Sequence, residues 1–261
     1  MDRDDVSARV RREPPTFVPV TVEERIERTP RALHLVLAGD GIRAMAPPGI
    51  AASVRLLVPS PGDDGLVVPA WQGNEFLRAD GSRPVLRTFT PLDVDRSAGR
   101  LGVTVVRHPG GAVAGWAEAC APGDPAAVSG FGRGWQLDPG TTRLLVFGDE
   151  TALPAVGQVL GSLPDEVSAE VHVEIDAAAA AVEFPARDRV DRHWHVRADG
   201  AAPGAALVAA AADIATIDDT THVWAAGEAA SMQAIRRHLF DVAGADRRQC
   251  TIRGYWKPAR R

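Results

Sequence analysis

The sequence predicts an antiparallel β-barrel followed by a parallel α/β domain, and two observations carry that reading. Residues 17–107 read as short strands separated by Pro- and Gly-rich turns, the pattern of barrels and sandwiches. Residues 143–240 alternate apolar runs with helical segments. Such βαβ units build a parallel sheet covered on both faces. The character changes at Asp138-Pro139-Gly140, which sets the linker at 137–142.

Each element has its own justification. Residues 17–22 alternate, and Leu33, Leu35 and Leu37 share one face of the next strand. Residues 54–58, 85–90 and 101–107 continue the pattern, with a turn at Pro61-Gly62-Asp63-Asp64-Gly65. Residues 143–147 are largely apolar, as a buried parallel strand requires. A helix opens at Gly148-Asp149-Glu150-Thr151 and runs to about Leu163. Strands follow at 167–175, 194–197 and 222–226, and helices at 203–214 and 228–240. In such a sheet ligands bind beyond the carboxyl ends of the strands. A barrel docked there makes a cleft, where small ligands bind.

Composition excludes several classes. The 261 residues are 45% hydrophobic and 24% charged, an ordinary globular balance that suits one large domain or two smaller ones. Subtracting 34 acidic from 29 basic residues gives −5, so electrostatics give no reason to expect nucleic acid. No stretch approaches the roughly 18 apolar residues of a membrane span. The charged start Met1-Asp2-Arg3-Asp4-Asp5 does not read as a signal peptide. The expectation is a cytoplasmic protein with no membrane partner. Cys120 and Cys250 are too few for a disulfide framework or a thiolate metal site. Lysine occurs once, at Lys257, and tyrosine once, at Tyr255; both lie in Gly254-Tyr255-Trp256-Lys257. The simplest reading of the arginine excess is codon usage in a GC-rich genome.

Four segments could carry chemistry. In Arg87-Thr88-Phe89-Thr90, Arg87 and Phe89 share one strand face and the threonines the other. A cation, an aromatic ring and hydroxyls suit a phosphorylated planar ligand, though a strand with a polar outer face reads the same way. His108-Pro109-Gly110-Gly111-Ala112-Val113-Ala114-Gly115-Trp116 leads two glycines into a helical segment at 113–120. Free amides at such a helix start suit a pyrophosphate, and a plain turn with a helix cap is the alternative. Gly148-Asp149-Glu150-Thr151-Ala152-Leu153-Pro154-Ala155 stands at the carboxyl end of the first parallel strand, with Asp149 or Thr151 as cap and Pro154 in the first turn. Ala226-Gly227-Glu228 occupies the same position after a later strand, where a glycine lets a nucleotide approach the backbone. His193 and His195 share one face of a short strand, but the sequence offers no evident third ligand, so they read as surface residues and no metal site is expected. Trp71, in the excursion at 66–84, either covers the cleft or packs.

In this order, these segments resemble the siderophore-interacting proteins, FAD-binding ferric-siderophore reductases. The resemblance runs from about residue 15 to the end. It rests on Arg-Thr-Phe-Thr, on the His-x-Gly-Gly stretch with Trp116, and on Asp-Glu-Thr-Ala-Leu-Pro-Ala. Gly227 to Leu239 and Gly-Tyr-Trp-Lys complete the set. It implies an FAD-binding barrel at 1–138 and an NAD(P)H-binding α/β domain at 139–261. It also implies hydride transfer from NADH or NADPH to FAD, then electron transfer to iron in a ferric siderophore. The chain would act as a monomer and need no catalytic side chain of its own. Cofactor residues would be Arg87, Thr88, Phe89, Thr90, His108, Gly110, Gly111, Ala112, Val113, Ala114, Trp116, Asp149, Thr151, Ala152, Gly227 and Glu228. Arg55, Arg133 and Lys257 would be the cations that attract an anionic chelate. The family's flavin motif reads Arg-x-Tyr-Thr-x-Arg; here Phe89 replaces the tyrosine and Leu92 the second arginine. Each lost charge-assisted hydrogen bond weakens binding by roughly 10- to 150-fold. Another flavin oxidoreductase on this scaffold, or a non-catalytic siderophore-binding protein, are the alternatives. Asp176 against Arg187 and Arg189 leaves NADH and NADPH both open.

Overall fold

The computed structural model describes residues 16–73, 75–184 and 187–258. Strands β1 (Phe17–Thr29), β2 (Ala32–Ala38) and β3 (Val54–Val58) open the chain, followed by the hairpin β4 (Ala70–Gln72) and β5 (Glu75–Leu77). Next come β6 (Val85–Phe89), β7 (Leu92–Asp95), β8 (Arg100–Val106), helix α1 (Ala112–Ala119) and β9 (Pro125–Ser129). Seven of these strands form one antiparallel sheet in the order β6-β3-β9-β1-β2-β8-β7. Its two edges, β6 and β7, are joined by Thr90 and Pro91 alone. The sheet therefore has to curl until its edges approach, as a barrel does. Leu33, Leu35, Leu37, Leu56, Val103 and Val128 fill the interior, and α1 packs across β6 and β8.

Two strands here had no signal in the hydrophobic pattern. β7 is four residues long, and β9 opens with Pro125. Proline cannot donate to a ladder, so a run starting with it reads as a turn. β1 also runs further than its alternating part, because its charged second half pairs with β2 through two register shifts. Trp71 packs edge-on against Phe76, with ring centroids 4.8 Å apart.

The second sheet is parallel, in the order β12-β11-β10-β13-β14. It comprises β10 (Arg143–Asp149), β11 (Ser168–Ile175), β12 (Val190–Val196), β13 (Thr221–Glu228) and β14 (Cys250–Trp256). Helices α2 (Leu153–Gly161), α3 (Ala205–Ala212) and α4 (Ala229–Asp241) cover it. Leu144 and Val146 face α2, whereas Leu145 and Phe147 face α3 and α4; this two-sided burial is why β10 reads as a continuous apolar run. β12 begins four residues before the short strand read from the sequence, and β14 was not foreseen, since Thr251, Arg253 and Gly254 interrupt its apolar pattern. The chain winds outward from β10 to β11 on one side, then returns to β13 on the other. The crevice of such a sheet opens at this reversal, beyond the ends of β10 and β13.

The two sheets meet through specific bonds. Gln158 on α2 donates to the Pro91 carbonyl at 2.7 Å and accepts from the Ala51 amide at 2.8 Å. Ala51 has a left-handed φ of 48°, a strained setting for a residue with a Cβ. Among the described residues, no helix is long and apolar enough to cross a membrane.

Candidate cofactor cleft between the two sheets

The barrel side of the cleft is built on β6 and α1. In β6, Phe89 stands opposite Val54 and Arg87 opposite Leu56, while Thr88 stands opposite Arg55. Arg87 and Phe89 therefore share one face, and Thr88 and Arg55 the other. Phe89 is half-buried against the barrel core, but Arg87 is exposed and donates to its own neighbour, the Leu86 carbonyl, at 2.8 Å. Among the described residues Arg87 has no carboxylate partner, so its guanidinium remains open to an anion.

Helix α1 presents its first turn beside this strand. Its N-cap is Gly111, and no side chain accepts from the first-turn amides. Those amides are the orphan donors of any helix start and favour negative charge. Gly110 adopts φ +75°, and a Cβ on Gly111 would lie 2.5 Å from the His108 ring. The positive φ favours glycine at position 110, whereas at 111 the exposed His108 ring would have to turn aside for a Cβ. Val113 and Ala114 have their side chains in the barrel core, so Ala112, Val113 and Ala114 can offer a ligand backbone N–H groups. Trp116 is half-buried on the same core, and His108 is exposed.

The α/β side centres on Asp149 at the end of β10. Its Oδ1 accepts from the Thr151 amide at 2.9 Å and the Thr151 hydroxyl at 2.5 Å. Its Oδ2 accepts from the Glu228 amide at 2.9 Å and from Trp256 Nε1 at 2.7 Å. Burial pushes this carboxyl above its ordinary range, against the opposing pull of those four donors. Asp149 therefore fastens the ends of β10, β13 and β14 together, with all four acceptor positions committed to protein. Gly227 answers to the same carboxylate: a Cβ there would stand 2.7 Å from Asp149 Oδ2. Glu228 spends its side chain capping α4, accepting from the Ser231 amide at 2.8 Å. Ala152 is fully buried beneath α2. Of this group, Thr151 and the backbone at Gly227 are the parts nearest to free.

The C-terminal strand closes the cleft. Trp256 holds Asp149, while the adjacent Tyr255 lies beside Thr90, at the end of the barrel strand that carries Arg87. Burial raises the Tyr255 phenol above its ordinary pKa, so it stays protonated. Lys257 follows directly and is exposed. At the neighbouring barrel end the Arg55 amide donates to Ser129 Oγ at 3.0 Å. The loop after β9 lies on the start of β3 through Gly132 N to Ser53 O at 2.7 Å. Arg55 and the exposed Arg133 thus belong to one end of the barrel, and among the described residues neither forms an ion pair.

A further set spans the two sheets without any local sequence signal. Arg31, at the β1–β2 turn, donates from Nε to buried Glu150 at 2.9 Å and from Nη2 to Asp176 at 2.5 Å. Arg197 pairs with the other Asp176 oxygen at 2.6 Å. Arg187 and Arg189 instead donate to carbonyls of Leu163 and Glu166, in the loop before β11. They therefore stand at the amino end of the sheet, and the residues at the carboxyl end of β11 and β12 are Asp176 and Arg197.

A curled antiparallel sheet docked on a five-stranded parallel sheet is also the fold of phthalate dioxygenase reductase, which superposes with a TM-score of 0.57 at 15% identity over 92% of this chain and 68% of its own. The chain belongs to the siderophore-interacting protein family. Residues 21–134 match the siderophore-interacting FAD-binding domain, and residues 141–259 match the siderophore-interacting protein domain. A siderophore utilization protein from T. fusca superposes with a TM-score of 0.80 at 28% identity, over 94% of each chain. An uncharacterized protein of Mycobacterium tuberculosis is 29% identical over 88% of this chain and 87% of its own. The ferric vibriobactin reductase of Vibrio cholerae is 22% identical over 86% of this chain and 83% of its own.

Proposed function

We propose that this chain is a flavoprotein that reduces ferric siderophores with electrons from NADH or NADPH. The observation that carries the reading is the joint made by Tyr255 and Trp256. Trp256 bonds Asp149 at the carboxyl edge of the parallel sheet, and the adjacent Tyr255 lies beside Thr90, at the end of the flavin-strand candidate. The family membership and the vibriobactin reductase relative support the same activity.

The residues present fit FAD. An uncapped helix start offers amides for a pyrophosphate, and an exposed arginine without a carboxylate partner stands on the adjacent strand. When bound, FAD supplies hydride acceptance and single-electron delivery. In this proposal Arg87 and the amides of Ala112 to Ala114 bind its phosphates, Phe89 and Trp116 flank it, and Thr88 and Thr90 orient it. His108 keeps the glycine turn in shape. Gly227 leaves room for the nicotinamide nucleotide, and Thr151 lines its path. Asp149, Ala152 and Glu228 hold that edge rigid. Arg55, Arg133 and Lys257 would draw an anionic chelate toward the cleft by long-range attraction. Reduction of Fe(III) to Fe(II) weakens a chelate of hard oxygen donors, which lets the metal leave. We assign residues 1–138 to the flavin half and 139–261 to the nucleotide half.

The test is direct. Protein purified with FAD supplied should show a bound-flavin absorbance spectrum and oxidise NADH or NADPH faster when a ferric siderophore is present. A chain that stays colourless in excess FAD, or whose rate equals that of free flavin, would end the proposal.

A further inference from the structure

A second cluster lies on the other side of the parallel sheet, away from the cleft. Strands β11 and β12 run parallel in register, and His172 stands opposite His193. His193 and His195 are therefore joined by a third imidazole that no local spacing could reveal. The His172 ring is stacked on Phe147, on His193 and on His195, with centroids 5.2, 4.7 and 5.4 Å away. Its Nε2 faces Glu170 Oε1 at 3.1 Å, and its Nδ1 faces His195 Nε2 at 3.1 Å. Glu170 is itself anchored, since its other oxygen takes Arg143 Nη2 at 2.6 Å. One donor atom each from Glu170, His172 and His193 lie within 4.8 Å of one another.

We propose that Glu170, His172 and His193 form a binding site for a divalent transition-metal ion of the zinc type. Two imidazoles and a carboxylate are a donor set that such ions favour. Zinc holds each donor at about 2.0–2.2 Å in a tetrahedron, which sets donors about 3.4 Å apart, so the three donors, now within 4.8 Å of one another, have to draw in. His193 is exposed and can close that gap by turning its ring. His195 fits the second role such sites require. A ligating histidine donates its other ring N–H to a fixed partner, which sets its tautomer, and His172 Nδ1 points at His195. The site opens onto a cavity of about 570 Å³, walled by Glu170, His172 and His195 on one side and by Ala206, Ala210 and Asp213 on the other. Water can therefore supply the remaining coordination position.

The experiment is calorimetric titration of the full chain, free of tags and stripped with a chelator, using zinc sulfate alone. One zinc per chain is expected, with thermal unfolding shifted upward in its presence. His193→Ala removes an exposed ligand without touching the core and should weaken binding by about 10- to 100-fold or more. Glu170→Gln, which keeps the shape and removes the charge, should do the same. His195→Ala should lower affinity about 10- to 100-fold while leaving one site per chain. Circular dichroism checks that each variant is folded. Absence of zinc uptake would leave the cluster as a hydrogen-bonded imidazole stack and overturn the proposal. Undiminished uptake by both His193→Ala and Glu170→Gln would overturn it as well, because the ion would then sit elsewhere.

Discussion

Three residues at the cleft differ in how far their groups are already committed. Arg87 is exposed and donates only locally among the described residues, so its loss should spare the fold and strike the ligand. Arg87→Ala is expected to raise the dissociation constant for FAD about 10- to 150-fold, the value of one charge-assisted hydrogen bond. Flavin fluorescence quenching reads this, and an unchanged constant would remove Arg87 from the pyrophosphate site. Gly227 has the opposite profile. A Cβ there collides with Asp149 Oδ2 at 2.7 Å, and that oxygen is the acceptor for Glu228 and Trp256. Gly227→Ala should cost about 1–3 kcal/mol, as forced overpacking does, seen as a lower denaturant midpoint. If the midpoint held, Asp149 would be free to move and the joint looser than its bonds imply. The Asp149 segment was legible as special from the sequence. Its role was not: two of the four bonds that satisfy it come from residues 79 and 107 positions away.

At the scale of elements, the pattern of alternation found the strands whose faces differ and missed those whose faces do not. β2, with Leu33, Leu35 and Leu37 inward, was plain, whereas β9 and β14 were hidden by Pro125 and by a polar interruption. β2 also hides a titratable group. His34 is 3% exposed, lies under Gly102, and has Thr104 Oγ1 at 3.3 Å. Burial lowers its pKa below the ordinary 6.5, helped by Arg28 and opposed by Asp93 and Glu24. The unfolded chain therefore takes up the proton at a higher pH than the folded one. The stability that His34 contributes is complete above about 6.5 and declines as pH falls toward the folded value. Denaturant midpoints measured from pH 7.5 down to 5 should fall, and His34→Gln should flatten that slope. An equal slope in the variant would show that other groups govern the acid limb. The same strand logic, applied across neighbours, would have found the imidazole cluster: His172 and His193 are register partners, visible once β11 and β12 are known to be adjacent.

Across the whole molecule, composition and motif order gave both halves and their order along the chain, but not how they are held together. The clamp is ionic and long-range. Arg31 reaches Glu150 and Asp176, which lie 119 and 145 positions further on, and no periodicity relates them. Glu150 sits with its side chain 9% exposed and Arg31 with 28%. Removing the guanidinium leaves the buried Glu150 carboxylate with the Asp176 amide at 2.7 Å but without its counter-charge, which costs more than breaking an exposed pair. Arg31→Met keeps most of the side-chain volume and should destabilise the chain by about 1–3 kcal/mol. The larger effect should be on cooperativity. With the clamp cut, Gln158, Arg253 on the Ala51 carbonyl, and the packing of Ala51 and Trp135 against α2 still hold the barrel on the parallel sheet. Calorimetry of Arg31→Met should then show the thermal transition broadened or split, because domains that dock weakly unfold separately. Wild type and variant with transitions of identical width would mean that Arg31 adds stability without coupling the two halves, and the cleft would owe its geometry to the C-terminal strand instead.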